Sequence, residues 1–163
     1  MAEPSLTFTP RATSHREHLF PTLTAEQIKR LASHGRRRPI AAGDVLVDIG
    51  DKTVPFFVVV NGAIEVLRPS GDAEAVIVTH RRGQFSGEAN MITGRRSMAR
   101  MRVSEPGEVI QLDRDEVLGV VQTDAELGEI LMRAFILRRI ELIAGGYGDV
   151  VLIGSMHAPG RCG

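Results

Sequence analysis

The sequence predicts a mainly β domain of the β-roll or jelly-roll (cupin-like) kind, with an N-terminal helix before the strands and a long C-terminal helix after them. Three observations carry this. Short β-branched runs alternate with turn signals at regular spacing between residues 40 and 112, the pattern of a sandwich, jelly roll or barrel. One capped helix signal precedes that region. Two capped, strongly apolar helical segments follow it.

Residues 1–16 are polar, carry two prolines and show no periodicity; they read as a loose arm. Thr24 with Gln27 forms a capping box, and Leu23 with Ile28 a hydrophobic staple, so a helix is expected to about Ser33, ended by Gly35. Arg36-Arg37-Arg38 precedes Pro39; it is either a phosphate patch or, as short charge runs usually are, a solvated lead-in to the first strand. Strands are expected at 45–47, 56–60, 64–67 and 75–79. Turns are expected at Gly50-Asp51, Asn61-Gly62 and Ser70-Gly71-Asp72, Asn-Gly between two apolar runs being a strong hairpin signal. Residues 101–104 and 109–112 read as a second hairpin closed by Glu105-Pro106-Gly107-Glu108. Asp113 and Glu116 cap a short helix to about Val121. Thr123 and Glu126 cap a longer one to about Ala144, where Gly145-Gly146 stops it. The long helix carries Leu127, Ile130, Leu131, Ala134, Phe135, Leu137, Ile140 and Leu142. This is too apolar for one buried stripe, so two buried faces are expected, one against the strands and one against a second copy. Residues 149–154 form an apolar run bounded by glycine and read as a buried strand opening a following domain.

Composition narrows the function classes. The 163 residues carry 20 Lys and Arg against 20 Asp and Glu, so net charge points to no polyanionic partner. Tryptophan is absent and aromatics are few, which disfavours a stacking platform for single-stranded nucleic acid. The lone Cys162 makes no intrachain disulfide or CxxC pair, and a cytoplasmic setting is the default. No apolar run reaches the roughly 20 residues needed to span a bilayer, and 1–10 lacks the pattern of a signal peptide. No metal site is expected, since His15 and His18 lack further convergent ligands and His34, His80 and His157 are scattered. Ser86 is not in a GxSxG elbow, and 154–160 is not GxGxxG, so no catalytic residue is assigned and an enzyme is not expected. Specific DNA binding is not expected either, because residues after Ala144 read as loop and strand rather than helix-turn-helix.

The informative stretch is 82–99, RGQFSGEANMITGRRSMA. Glycines at 83 and 87 punctuate a strand end, then come an acidic residue, a short apolar segment and an arginine-rich turn. Backbone N–H groups near Gly87 suit a phosphate, a guanidinium adds fork-like hydrogen bonds, and a carboxylate accepts from a sugar hydroxyl. A bare turn is the alternative on local pattern alone. This segment resembles the phosphate-binding cassette of cyclic-nucleotide-binding domains of the catabolite-activator and protein-kinase-A regulatory type, whose usual form is G-x-F-F-G-E-L-A-L followed by P-R-A-A-T. Gly43-Asp44-Val45-Leu46, Gly50-Asp51 and Phe57 through Gly62, Ile64 and Val66 resemble the family's first two glycine-bearing turns, and 109–113 with the two helices its ending. The resemblance covers about 17–144.

The resemblance implies a sensor module that binds cAMP or cGMP, needs no cofactor, and transmits occupancy through its C-terminal helix. It implies that Glu88 accepts from the ribose 2′-hydroxyl and that the backbone around Gly87, Ala89 and Asn90 meets the cyclic phosphate. The sequence departs from the pattern at the arginine. Counted without a gap from Gly87, that position holds Ser97, and Arg96 is one residue early. A turn shortened by one residue restores Arg96, with Arg95 and Arg100 as fallbacks. The ungapped register instead keeps Met101 and Val103 inward, and a local bulge would satisfy both demands. Arg133 or Arg138 on the long helix could reach a base. Three organisational expectations follow: an arm at 1–16, the binding domain at 17–144, and a linker or strand at 145–163. The last resembles the junction before a thioredoxin-reductase-like flavoprotein, which would make the chain the regulatory part of a longer enzyme. The alternative is a degenerate member of the same fold that docks or dimerises without nucleotide. A homodimer joined along the C-terminal helix is the expected assembly.

Overall fold

The computed structural model describes residues 15–87 and 93–144. Most of the expected arm, the strand expected at 149–154, His157 and Cys162 lie outside the described residues. The chain order is α1 (His15–Leu19), α2 (Ala25–Ala32), β1 (Arg36–Ile40), β2 (Val45–Val47), β3 (Phe56–Ser70), β4 (Ala73–His80), β5 (Phe85–Ser86), β6 (Arg100–Leu112), α3 (Arg114–Thr123) and α4 (Ala125–Ala144). The strands form one antiparallel sheet in the order β1-β6-β3-β4, with β2 also on β6 and β5 also on β3. This is the β-roll with flanking helices that the sequence predicts.

Local chemistry sets the helix starts. Thr24 Oγ1 accepts from the Gln27 N–H at 3.2 Å, and Gln27 Oε1 from the Thr24 N–H at 2.9 Å, while Leu23 and Ile28 are buried in one cluster. Asp113 and Glu116 close the same box on α3 at 2.8 and 3.2 Å. The expected cap of α4 is corrected. Thr123 donates to the Gly119 carbonyl at 2.7 Å and is still the last turn of α3, whereas Asp124 accepts from the Leu127 N–H at 3.1 Å. A carboxylate there also receives the Arg30 guanidinium through two bonds at 2.9 and 3.2 Å, work that a hydroxyl cannot share.

The larger correction concerns the two expected hairpins. Asn61-Gly62 and Glu105-Pro106-Gly107-Glu108 are not turns; they face each other within two unbroken strands, β3 and β6, with register shifts at Val59/Asn61, Asn61/Ala63 and Ala63/Ile64. Gly62 has φ +87°, and a Cβ on it would be 2.6 Å from the Glu105 carbonyl oxygen. A Cβ on Gly107 would be 2.2 Å from the Asn61 carbonyl oxygen. Opposed bulges bend a strand pair sharply without ending it, and this bend helps to curl the sheet into a roll. The turn at Gly71-Asp72 does close a hairpin, with Ser70 paired to Ala73.

The bend leaves the first half of β3 buried on both faces. Phe56 and Val58 join the cluster under the helices, with Ile110, Leu112, Leu131 and Phe135. Phe57 and Val59 join the roll interior, with Ile64, Met101, Val103 and Val109. Arg36, Arg37 and Arg38 lie in edge strand β1, pointed outward toward Glu116, Glu108 and Gln111 at 3.5, 2.6 and 3.2 Å. α4 buries one face, through Leu127, Leu131, Ala134 and Phe135; Met132, Ile136 and Ile140 are exposed at 40%, 53% and 52%. Among the described residues the expected second apolar face is thus present as an exposed stripe rather than a buried one. A short helix also stands at 15–19, where the sequence has no periodicity, because Leu19 and Phe20 pack on Val78 and Leu137.

Candidate functional site

β5 places the head of the candidate site. Its two residues pair with Phe57 and Val58, and the chain leaves it at Gly87, which is buried with φ +112°. A Cβ there would be 2.2 Å from the Pro55 carbonyl oxygen, so both the backbone conformation and the space require glycine. Glu88, Ala89 and Asn90 lie outside the described residues.

The facing wall is the segment that enters β6. Ser97 is only 5% exposed. Its N–H donates to the Asp51 carbonyl at 2.9 Å, its carbonyl accepts from the Gly50 N–H at 2.7 Å, and its hydroxyl donates to the Ala99 carbonyl at 2.7 Å. The Gly50-Asp51 turn thus fixes Ser97 facing in. Ser86 Oγ meets the Met101 sulfur at 3.3 Å, which brings the end of β5 against the start of β6. Met101 and Val103 are buried, the alternation of the ungapped reading.

The arginines are placed differently. Arg96 is exposed and donates to the Gly50 carbonyl at 3.1 Å; Arg95 is exposed as well. Arg100 is on the outer face, paired with Asp48 at 3.0 Å and with Glu74, while Arg102 pairs with Glu74 at 3.1 Å. The Arg100 guanidinium holds the Asp48 carboxyl below the usual carboxylate range. On α4, Arg133 is exposed and paired with Glu129 at 2.5 Å.

Arg138 is the functional candidate whose place the sequence left open. It is 3% exposed. Its Nε donates to the Leu19 carbonyl at 2.7 Å and one terminal nitrogen to the Phe85 carbonyl at 3.3 Å. Its guanidinium carbon stands 4.8 Å from the ring centroids of both Phe20 and Phe85. The signal was in the helical period: Leu127, Leu131, Ala134 and Arg138 share one stripe. Beside it His80 is buried, and burial, with the Arg138 charge, pushes its imidazole down to about 3. Burial pushes the Arg138 guanidinium down to about 9, still protonated at neutral pH. Among the described residues no group of three or more His, Cys, Asp or Glu could hold a metal ion, and no helix is long and apolar enough to cross a membrane.

Comparison with known proteins agrees with this architecture. The family model of the cyclic nucleotide-binding domain matches residues 37–124, more than half of the chain. The catabolite activator protein of Thermus thermophilus is similar in structure, with 21% identity, a TM-score of 0.63, and coverage of 80% of this chain and 60% of that one. A structure described under a cyclic-GMP-dependent signalling pathway that regulates bacterial phytopathogenesis has 28% identity and a TM-score of 0.62, covering 74% of this chain and 96% of that one. Potassium channel KAT3 of Oryza sativa subsp. japonica is 20% identical over 114 residues, 70% of this chain. The chain spans 23% of that channel's length.

Proposed function

Because the chain belongs to the cyclic nucleotide-binding domain family, a family of regulatory modules, we propose that it binds cAMP or cGMP between the end of β5 and the start of β6. The observation that carries this reading is Gly87: buried, at φ +112°, with no room for a side chain, at the head of the Gly-Glu pair that the family pattern places on the phosphate and ribose. In this reading Glu88 accepts from the ribose 2′-hydroxyl, and the backbone of Gly87, Ala89 and Asn90 holds the cyclic phosphate. Ser97 faces the ligand from the opposite wall. Arg96 supplies the guanidinium by leaving the Gly50 carbonyl, an exposed contact that is cheap to exchange. The chain itself carries out no reaction; its output is a change in α4, which requires nucleotide to bind two positions of that helix with different affinity.

The open stripe Met132, Ile136 and Ile140 supports a homodimer along α4 as the receiver of that change. An effector domain in the same chain is the other receiver, in keeping with the small share of the matched channel that this chain spans.

A second reading is favoured by Ser97. A serine stands inside where the family pattern has arginine, and Arg96 is outside, as in a degenerate member that docks or dimerises without nucleotide. Calorimetric titration with cAMP and cGMP separates the two. Micromolar binding that is lost in both Glu88→Ala and Arg96→Ala supports the sensor. A folded protein that gives no heat with either nucleotide supports the docking module.

A further inference from the structure

We infer that Arg138 is the positioning residue that makes α4, α1 and the cassette strand β5 move as one body. The inference rests on the nucleotide-sensing reading above and adds the part that carries the signal.

A guanidinium in this place needs a reason. The face of α4 around it is apolar, and an apolar side chain of similar volume would pack there with less desolvation cost. What arginine adds is reach in several directions from one rigid plane. One edge of the fork holds the Leu19 carbonyl at the end of α1, and another holds the Phe85 carbonyl in β5. Its guanidinium carbon also stands 4.8 Å from the ring centroids of both Phe20 and Phe85. Phe85 is thus engaged twice, by its backbone oxygen and by its ring, and it stands two residues before Gly87.

The connection is short and physical. Any displacement of β5 at its Gly87 end, where the proposed ligand sits, moves the Phe85 carbonyl. That oxygen and that ring are held by Arg138, so α4 follows or the contact breaks. Leu19 and Phe20 are held by the same plane, so α1 goes with α4. Two discrete arrangements of one packed contact are what coupling between distant sites requires. Lysine would keep the charge but has neither the fork nor the flat face, so it cannot make the four contacts together.

The test uses the full chain with Cys162→Ser and nitroxide labels at Asp72→Cys, in the exposed β3–β4 turn, and at Arg139→Cys, exposed on α4. The dipolar distance is read with and without saturating cAMP or cGMP. The expected result is a shift in the otherwise unaltered protein. In Arg138→Lys and Arg138→Met, affinity stays within about threefold while the shift is lost, which is loss of coupling rather than of binding. A full shift in both variants, or no shift in their parent despite binding, overturns the inference. Should the Arg138 variants not fold, Phe20→Leu removes one ring of the clamp and is expected to reduce the shift; an unchanged shift overturns it. Failure of both nucleotides to bind would sink the sensing reading alone. The clamp is then read by amide exchange, expected to rise about tenfold at residues 85–87 in Phe20→Leu with no change in the β1–β6 rungs. Unchanged exchange at 85–87 overturns the clamp.

Discussion

Replacing Gly107 by alanine tests the bend that makes the roll. Its Cβ would be 2.2 Å from the Asn61 carbonyl oxygen, 2.4 Å from Asn61 Oδ1 and 2.5 Å from the Asn61 carbonyl carbon. Ordinary contact needs roughly 3.5 Å, so β3 and β6 must part by about 1 Å at a point where both are paired on either side. Overpacking of this kind costs about 1–3 kcal/mol. Loss of one or two ladder hydrogen bonds adds about 1 kcal/mol each. The expected destabilisation is therefore about 3 kcal/mol. With a urea m-value of about 2 kcal/mol/M the midpoint falls by about 1.5 M, read by circular dichroism. Gly71→Ala is the control. It has φ +60° and nothing within 4 Å of a Cβ, so backbone strain alone should cost about 1 kcal/mol. A Gly107→Ala variant within about 0.5 kcal/mol of the parent, the range of an ordinary surface change, would refute the account of the bend as two opposed close approaches. So would a Gly71→Ala cost that exceeds it.

Three further outcomes are expected. His80 has a folded pKa of about 3 against an ordinary 6.5, so between those values the unfolded chain binds the proton and the folded one does not. Stability is retained above pH 6.5 and falls as pH drops toward 3, by up to about 1.4 kcal/mol per pH unit; the slope between pH 6.5 and 4.5 should flatten in His80→Leu, and an equal slope in that variant would show another group responsible. Asp124→Ala removes both the α4 cap and the Arg30 contact and should lower Tm measurably, whereas Thr123→Ala should change it little; the reverse ranking would restore Thr123 as the cap. Ile136→Glu tests the dimer proposed along α4: it should turn a dimeric parent into a monomer in light scattering without lowering its Tm, and a parent that is already monomeric, or a dimer that persists in the variant, would overturn that interface.

What the sequence disclosed, and what it hid, follows from how far each decision reaches along the chain. A capping box is settled within four residues, and Thr24–Gln27 and Asp113–Glu116 were legible for that reason. The cap of α4 depends on Arg30, far away in α2, so Thr123 looked as good as Asp124. Asn61-Gly62 and Glu105 to Gly107 have the composition of turns because a turn and a bulge ask the same thing of a backbone: freedom in φ and room for close approach. Only the knowledge that each lies across from the other tells the two apart. Arg138 is a possible base contact only through the family resemblance, which assigns base recognition in part to the long helix, although its period places it with Leu131 and Ala134. In the candidate site, the alternation of Met101 and Val103 argued for the ungapped register but left a bulge open, and the inward turn of Ser97 comes from the structure. No local rule says whether Arg96, one residue off, swings in when a ligand arrives, since that is a property of the bound state.

The place of β6 in the sheet has a consequence for how the chain is made. β1, β2 and β3 all pair with β6, and β6 ends at Leu112. As the chain leaves the ribosome, the β3–β4 hairpin can close early, but β1 and β2 must wait for a strand not yet synthesised. Pairings so distant in sequence are slow to form, and unpaired edges are liable to join other chains meanwhile. A chain that stalls before residue 100 would hold most of the strands and none of their common partner. Such a fragment is fated to aggregate or be degraded rather than to persist as a partial sensor.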